Sequence, residues 1–312
     1  MALEAVPALS MRDRRTDFDG FARAMGESYA RFGFAIVRDH GLDTGVIERA
    51  VRATKDFFAL PDSVKRRYHI AGGGGQRGYT PFGVEAAKGA ATVDLKEFWH
   101  VGRELGEGHR YRKYMPHNLW PDEVASFRDD VYGLYSALDA LGLELLESIA
   151  AFLDLPHDFF RQPVSDGNSV LRLLHYPPTP PKPDGVRAGA HEDINVITLL
   201  LGAEEAGLQL LTADGEWLDV NPPEGALVVN VGDMLQRLTN HRLRSTTHRV
   251  VNPAAERAHL PRYSIPFFLH FAPDYLIETL PGCVSAENPN RYPEPITAQD
   301  FLFERLREIR LA

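Results

Sequence analysis

Residues 18–32 place Phe18, Phe21, Met25, Tyr29 and Phe32 at spacings of three and four, the period of a helix with one buried face. Asp17 stands before them as a candidate N-cap. Phe34-Ala35-Ile36-Val37 reads as a short strand and Asp39-His40-Gly41 as a turn. Thr44 to Leu60 reads as a second helix stopped by Pro61, with further helical turns from Asp62 to Tyr68. Gly72 to Gly75 mark a loop suited to covering an active site; no Gly-Lys-Ser/Thr follows, which argues against a phosphate cradle. Asp94 to His100 reads as a strand. Pro121 to Leu155 predicts a long helix, with Leu134, Leu138, Leu141, Leu145 and Ile149 as its core-facing stripe. Beyond Ser169 the pattern changes to short strands broken by Pro, Gly and Asp. These are Leu171 to Tyr176, Ile194 to Leu201, Leu208 to Leu211, Ala226 to Val231, His248 to Val251 and Tyr263 to Phe271. Ile296 to Leu311 closes the chain as a helix capped by Thr297. The sum is a mixed α and β fold: helices packed around a sandwich or jelly-roll core.

Composition changes this picture little. The 312 residues are 44% hydrophobic and 25% charged, ordinary for a globular protein with a sizeable core. A net charge of −9 argues against nucleic acid or an anionic membrane surface as a partner. One cysteine, Cys283, rules out an intramolecular disulfide framework. The first residues lack the basic and apolar blocks of a secretion signal, and no apolar run has transmembrane length. A cytoplasmic protein is the expectation; oligomeric state is not readable.

His191-Glu192-Asp193, followed far downstream by His248, carries the candidate chemistry. Residues i and i+2 of a strand share a face, so His191 and Asp193 can reach one ion. Two imidazoles and a carboxylate hold a metal on one face and leave the opposite positions open, the ligand set of non-haem Fe(II) oxygenases. Arg262-Tyr263-Ser264 adds a planar guanidinium and a hydroxyl at i and i+2, suited to gripping a carboxylate. A His-x-Asp triplet among twelve histidines arises readily by chance, and its weight comes from this company.

These residues stand in an order that is similar to a known family. Phe32-Gly33-Phe34, Asp39-His40-Gly41, Arg77-Gly78-Tyr79 and Asp94-Leu95-Lys96-Glu97 come first. His191-Glu192-Asp193 with Thr198, Gly207-Leu208-Gln209, Asn230-Val231-Gly232-Asp233, Thr239-Asn240, His248-Arg249-Val250 and Arg262-Tyr263-Ser264 follow. The chain resembles the isopenicillin N synthase-like branch of the Fe(II)/2-oxoglutarate-dependent dioxygenases over most of its length. The resemblance implies a double-stranded β-helix core flanked by helices. Residues 1–120 would form an N-terminal region adding helices and strands to it. Residues 121–312 would supply the long helix, the catalytic core and the C-terminal helix, all in one compact unit. It implies His191, Asp193 and His248 as iron ligands, and Arg262, Ser264 and Tyr176 as the holders of 2-oxoglutarate, with dioxygen as second co-substrate. The implied activity is hydroxylation of a small molecule with release of succinate and carbon dioxide.

The chain departs from the family where many plant members carry Asn two residues before the tyrosine; here Leu174 stands, which leaves Arg172 or His175 to substitute. Gly72 to Val84 and the stretch Phe98-Trp99-His100 are the expected specificity segments. Three other chemistries stay open. One is an iron-dependent oxidase of the same fold that does not use 2-oxoglutarate. Another is a non-catalytic β-helix protein that binds a small acid. The third is a zinc hydrolase, since His/His/Asp also suits Zn(II) with a bound water.

Overall fold

A computed structural model of the protein describes residues 5–84, 94–178, 186–201, 207–253 and 255–308. Strand β1 (Ala8–Ser10) runs into helix α1 (Met11–Thr16), whose cap is the Ser10 hydroxyl, accepting from Arg12 N. Helix α2 (Phe18–Phe32) begins at Asp17, whose carboxylate accepts from Gly20 N, and ends at Gly33. Strand β2 (Phe34–Arg38), helices α3 (Thr44–Phe58) and α4 (Asp62–Lys65), and strands β3 (Gly78–Thr80) and β4 (Glu97–Gly102) follow. Helix α5 (Phe127–Phe152) and the short α6 (Arg161–Ser165) lead into the strand-rich part. That part contains β5 (Val170–Tyr176), β6 (Ala188–His191), β7 (Ile197–Leu201), β8 (Leu208–Leu211), β9 (Trp217–Asp219) and β10 (Leu227–Val231). Helix α7 (Asp233–Leu238), strands β11 (His248–Val250), β12 (Arg262–Leu269), β13 (Leu276–Ile277) and β14 (Ile296–Thr297), and helix α8 (Ala298–Glu308) complete it.

The strands form an eight-stranded sheet, ordered β1-β2-β10-β7-β12-β5-β4-β3, a four-stranded sheet, ordered β6-β11-β8-β9, and a two-stranded pair, β13-β14. Period-two alternation divides the large sheet between two cores. Ala35, Val37, Leu171, Leu173, Leu199, Val229, Phe267 and Leu269 point outward against the α5 stripe of Leu134, Leu138, Leu141, Leu145 and Ile149. Tyr135 of α5 meets Phe267 edge-on, with ring centroids 5.1 Å apart. Phe34, Ile36 and Val228 point inward and meet Leu208, Leu210, Leu218 and Val250 of the small sheet. Each such large side chain contributes roughly 1.5–3 kcal/mol relative to exposure. Two facing sheets, antiparallel except for the parallel β1–β2 pair, and wrapped by helices, are the expected jelly-roll core, and strands from residues 1–120 lie within the large sheet.

Several expected boundaries move. Helix α5 starts at Phe127, not Pro121, because Asp122 N donates to the Tyr68 hydroxyl while Glu123 binds Tyr68 and Arg67, fixing that segment as turns. Strand β4 starts at Glu97, not Asp94: Asp94 instead accepts from Gly189 N and from Lys96 Nζ, which ties this segment to β6. Thr297 does cap α8, accepting from Asp300 N at 3.1 Å; the expected end at Leu311 lies outside the described residues. No helix among the described residues is long and apolar enough to cross a membrane.

Candidate metal centre and active site

Strands β6 and β11 pair antiparallel with His191 directly opposite His248. Their rings lie 4.4 Å apart between centroids. Immediately after β6 the chain turns: Asp193 O accepts from Asp233 N at 2.7 Å and Ile194 O from Met234 N at 3.2 Å. This turn presses so closely on Gly232 that a Cβ there would fall 2.1 Å from Asn195 O. Gly33, at a φ of 69°, similarly lets the end of α2 reach the Arg244–Thr246 segment that leads to His248.

The turn delivers the Asp193 carboxylate between the two imidazoles. Its Oδ1 lies 3.8 Å from Nε2 of His191 and 3.8 Å from Nε2 of His248. All three donor atoms fall within 4.8 Å of one another. Neighbouring donors each about 2.1 Å from one octahedral ion are about 3.0 Å apart, so small side-chain shifts from 3.8 Å bring the carboxylate and both imidazoles onto a shared ion. The other face of each group is already engaged. His191 Nδ1 donates to Gly189 O at 2.7 Å and His248 Nδ1 to Thr246 O at 3.1 Å, which leaves both Nε2 lone pairs toward the ion site. Asp193 Oδ2 accepts from the Thr198 hydroxyl at 2.6 Å and from Asn230 Nδ2 at 2.8 Å, which leaves Oδ1 for metal. The donor set therefore fits an octahedral divalent ion with an open face.

The electrostatics agree with ligand duty. Burial and the neighbouring His248 push the His191 imidazole down to about 4, although its outer edge opens to a cavity, so the ring stays neutral and able to coordinate. Burial alone would raise the Asp193 carboxyl. His248, His191 and the bonds from Asn230 and Thr198 outweigh it and hold the group below the usual range.

Arg262, Ser264 and Tyr176 assemble at the start of β12, with Arg262 in register with Tyr176 and Ser264 with Leu174. The Arg262 guanidinium lies 5.0 Å from the Tyr176 ring centroid. By strand parity Arg262 and Ser264 share their face with Phe268, which lines the same cavity as His191 and Asp193. Leu174 fills a small apolar cluster with Phe98 and Tyr176. The two suggested substitutes for its missing polarity lie on opposite faces of β5. His175 faces outward, its Nδ1 2.7 Å from Glu97 Oε1, and Glu97 also binds Lys65 and Tyr79. Arg172 lines the same cavity as His191 and Asp193, 4.3 Å from the Phe98 ring centroid, and donates to His100 Nε2 at 2.6 Å. Arg187, which sequence reasoning passed over, is buried 5.9 Å from the Tyr176 ring centroid.

The cavity has a volume of about 450 Å³. Gly74 and Gln76 of the glycine-rich segment line it, and His100 Nδ1 binds Gly75 O, so that segment does border the site. Of the expected specificity stretch, His100 lines the cavity, while Trp99 is core, stacked edge-on against Phe57 and Phe127. Glu192 accepts from the Thr247 hydroxyl at 2.9 Å at the rim. Thr198 and Asn230 stood in the motif order without a role. Their signal was a polar residue inside an otherwise apolar strand.

Comparison with known proteins agrees with this arrangement. Residues 167–271 match the 2OG-Fe(II) oxygenase superfamily, and residues 6–123 match the family described as non-haem dioxygenase in morphine synthesis N-terminal. The chain is 36% identical over 302 residues to the 2-oxoglutarate-Fe(II) type oxidoreductase hxnY of Emericella nidulans, covering 91% of this chain and 84% of the relative. It superimposes with a TM-score of 0.92 on a 2OG-Fe(II) oxygenase family protein from Caulobacter crescentus, at 57% identity, covering 98% of this chain and 100% of that one. It also superimposes on a full-length Neurospora crassa protein crystallised in complex with alpha-KG and thymine, with a TM-score of 0.85, 30% identity, and coverage of 97% and 96%. These matches favour iron with 2-oxoglutarate over the co-substrate-free oxidase, the non-catalytic binding protein and the zinc hydrolase.

Proposed function

The chain belongs to the isopenicillin N synthase-like branch of the 2OG-Fe(II) oxygenase superfamily, and on that footing we propose which of its residues do the work. It is a non-haem Fe(II)/2-oxoglutarate-dependent dioxygenase. In our reading His191, Asp193 and His248 hold the iron, Arg262 and Ser264 hold the far carboxylate of 2-oxoglutarate, and Tyr176 contacts the co-substrate. The adjoining cavity takes a small molecule for hydroxylation; the Neurospora crassa neighbour was crystallised with thymine, a ligand of that size. The reading is carried by the aim of Asp193: two donors occupy Oδ2, and Oδ1 is left between two imidazoles whose Nδ1 atoms are spoken for.

Bound there, Fe(II) with 2-oxoglutarate and dioxygen supplies oxidising chemistry that yields succinate, carbon dioxide and oxidised substrate. The chain's share is positional. The carbonyls of Gly189 and Thr246 fix the imidazole tautomers, and Thr198 and Asn230 fix the carboxylate. Arg262 offers a planar fork that grips a carboxylate in two parallel bonds, and the Ser264 hydroxyl adds a third. We place the enzyme in the cytoplasm, where its one cysteine, buried Cys283, suits a reducing milieu.

Adding 2-oxoglutarate to the anaerobic Fe(II) protein should give a weak visible charge-transfer band. A folded, iron-loaded protein without the band would contradict the co-substrate site. His191→Ala and Asp193→Ala should each abolish iron binding, and unchanged iron affinity in both would sink the triad.

A further inference from the structure

The cavity contains a buried cation that neither the iron site nor the 2-oxoglutarate site uses. Arg77 is 2% exposed and lines the cavity wall. Its Nη1 donates to Gln76 O at 2.7 Å, but its buried Nε and Nη2 atoms have no hydrogen-bond partner, and no carboxylate among the described residues pairs with it. Burial accordingly pulls its pKa down to about 10. An uncompensated buried charge is strongly unfavourable, so the arrangement suits a group that arrives with the opposite charge. The fold makes room for this side chain. Gly102 lies beneath the guanidinium, and a Cβ there would fall 2.0 Å from Cζ.

The register of the large sheet sets the distance to the iron ligands. Asn230 pairs with Thr198, Thr198 with Phe268, Phe268 with Val170, and Val170 with Gly102, forming one row across five strands. Thr198 and Asn230 hold Asp193 at one end of this row, and Arg77 covers Gly102 at the other. Thr198 and Gly102 are three strand spacings apart, about 14 Å. Phe268 and Val170 form the apolar wall between them. Asn168 precedes Val170 by two residues, lines the same cavity, and has a buried Oδ1 without a partner.

We propose that the primary substrate is a small organic carboxylate with an apolar middle, anchored by the Nε/Nη2 edge of Arg77 so that its far end reaches the iron face. That edge meets a carboxylate side-on in two parallel hydrogen bonds, and its two donors are the buried ones that have no protein partner here. The apolar part lies along Phe268 and Val170, and Asn168 Oδ1 accepts from a hydroxyl or amino group on the substrate. The inference rests on the iron face assigned above, and it makes Arg77 the residue that selects acids over neutral analogues.

The test is calorimetric titration of the anaerobic Fe(II)/2-oxoglutarate enzyme with benzoate, phenylacetate, 3-phenylpropionate and 4-phenylbutyrate, each beside its carboxamide. At least one acid should bind, tenfold or more tighter than its amide, because the amide lacks the charge. Arg77→Gln should erase that preference. Gly102→Ala should erase it too, by displacing the guanidinium while keeping its charge. Acids and amides that bind alike, a preference that survives Arg77→Gln, or no binding by any acid would each overturn the inference. If one variant fails to fold, the wild-type comparison and the other variant still decide. The visible band of the same wild-type sample separates the two readings. Its absence indicts the 2-oxoglutarate site, whereas its presence with no acid preference indicts Arg77 alone.

Discussion

Thr198→Val removes the contact that aims the metal-binding oxygen of Asp193, together with the bond that the same hydroxyl accepts from Asn195 Nδ2 at 3.1 Å. Valine keeps the branched shape and removes the hydroxyl that donates to Oδ2 at 2.6 Å, leaving Asn230 Nδ2 at 2.8 Å as the remaining donor. The site is buried, Thr198 being 3% and Asp193 8% exposed, so water does not replace the lost bond. A hydrogen bond to a charged group contributes about 1.5–3 kcal/mol. Loss of an outer partner typically weakens metal affinity by about 10- to 100-fold, or about 1.4–2.8 kcal/mol, so the two scales agree. Thr198→Val should therefore bind Fe(II) at least tenfold more weakly in an anaerobic titration against a competing chelator, while Thr198→Ser stays near wild type. The double variant Thr198→Val/Asn230→Ala leaves Oδ2 bare, so its loss should exceed the sum of the single losses, because both donors share one acceptor. In the metal-free protein the lowered Asp193 carboxyl contributes stability above the ordinary carboxylate range of about 3.9, and this is lost as pH falls through the folded value. Removing a donor raises that folded value and moves the loss to higher pH. Iron affinity within twofold of wild type, together with an unchanged urea midpoint, would refute the reasoning.

Arg262→Lys keeps the charge but loses the planar fork of a residue only 2% exposed; 2-oxoglutarate should bind tenfold or more weakly in a titration of the visible band, with iron affinity unaltered, and equal co-substrate affinity would remove Arg262 from the site. His270 is 8% exposed, and burial pushes its imidazole from 6.5 down to about 4. As pH falls through that window the unfolded chain takes up a proton that the folded one refuses, so stability declines by at most about 3 kcal/mol. His270→Leu should flatten the fall of urea-unfolding free energy across that window, and an unchanged slope would count against the assignment. Gly142 of α5 lies where a Cβ would come 2.4 Å from Leu269 Cδ1. Gly142→Ala should gain about 1 kcal/mol of helix propensity and lose roughly 1–3 kcal/mol to overpacking. A net loss near 1 kcal/mol is expected, and a stabilised variant would show that β12 has room to shift.

Local information made much of this protein legible in its sequence. The three-and-four spacing of Phe18 to Phe32 and the Asp17 carboxylate define α2, and the leucine stripe defines the buried face of α5, because helix period and capping act within a few residues. The ordered His191, Asp193, His248, Arg262 and Ser264 pointed to the reaction class, since a metal face and a carboxylate grip need those side chains whatever surrounds them. Tertiary structure decided what depends on partners distant in the chain. Ile194 to Val196 reads as strand, yet bonds to Gly232, Asp233 and Met234 make it the turn that delivers Asp193. Thr198 and Asn230 became the carboxylate's holders only when β7 and β10 paired in register. His175 and Tyr176 are neighbours in sequence but lie on opposite faces of β5, so one stacks at 4.8 Å on Tyr263 and the other lies under the Arg262 guanidinium. Arg77 drew notice only as part of Arg77-Gly78-Tyr79. Its lack of a carboxylate partner and its place above Gly102 exist only once β3, β4 and β5 lie side by side, because burial and pairing are properties of the assembled sheet.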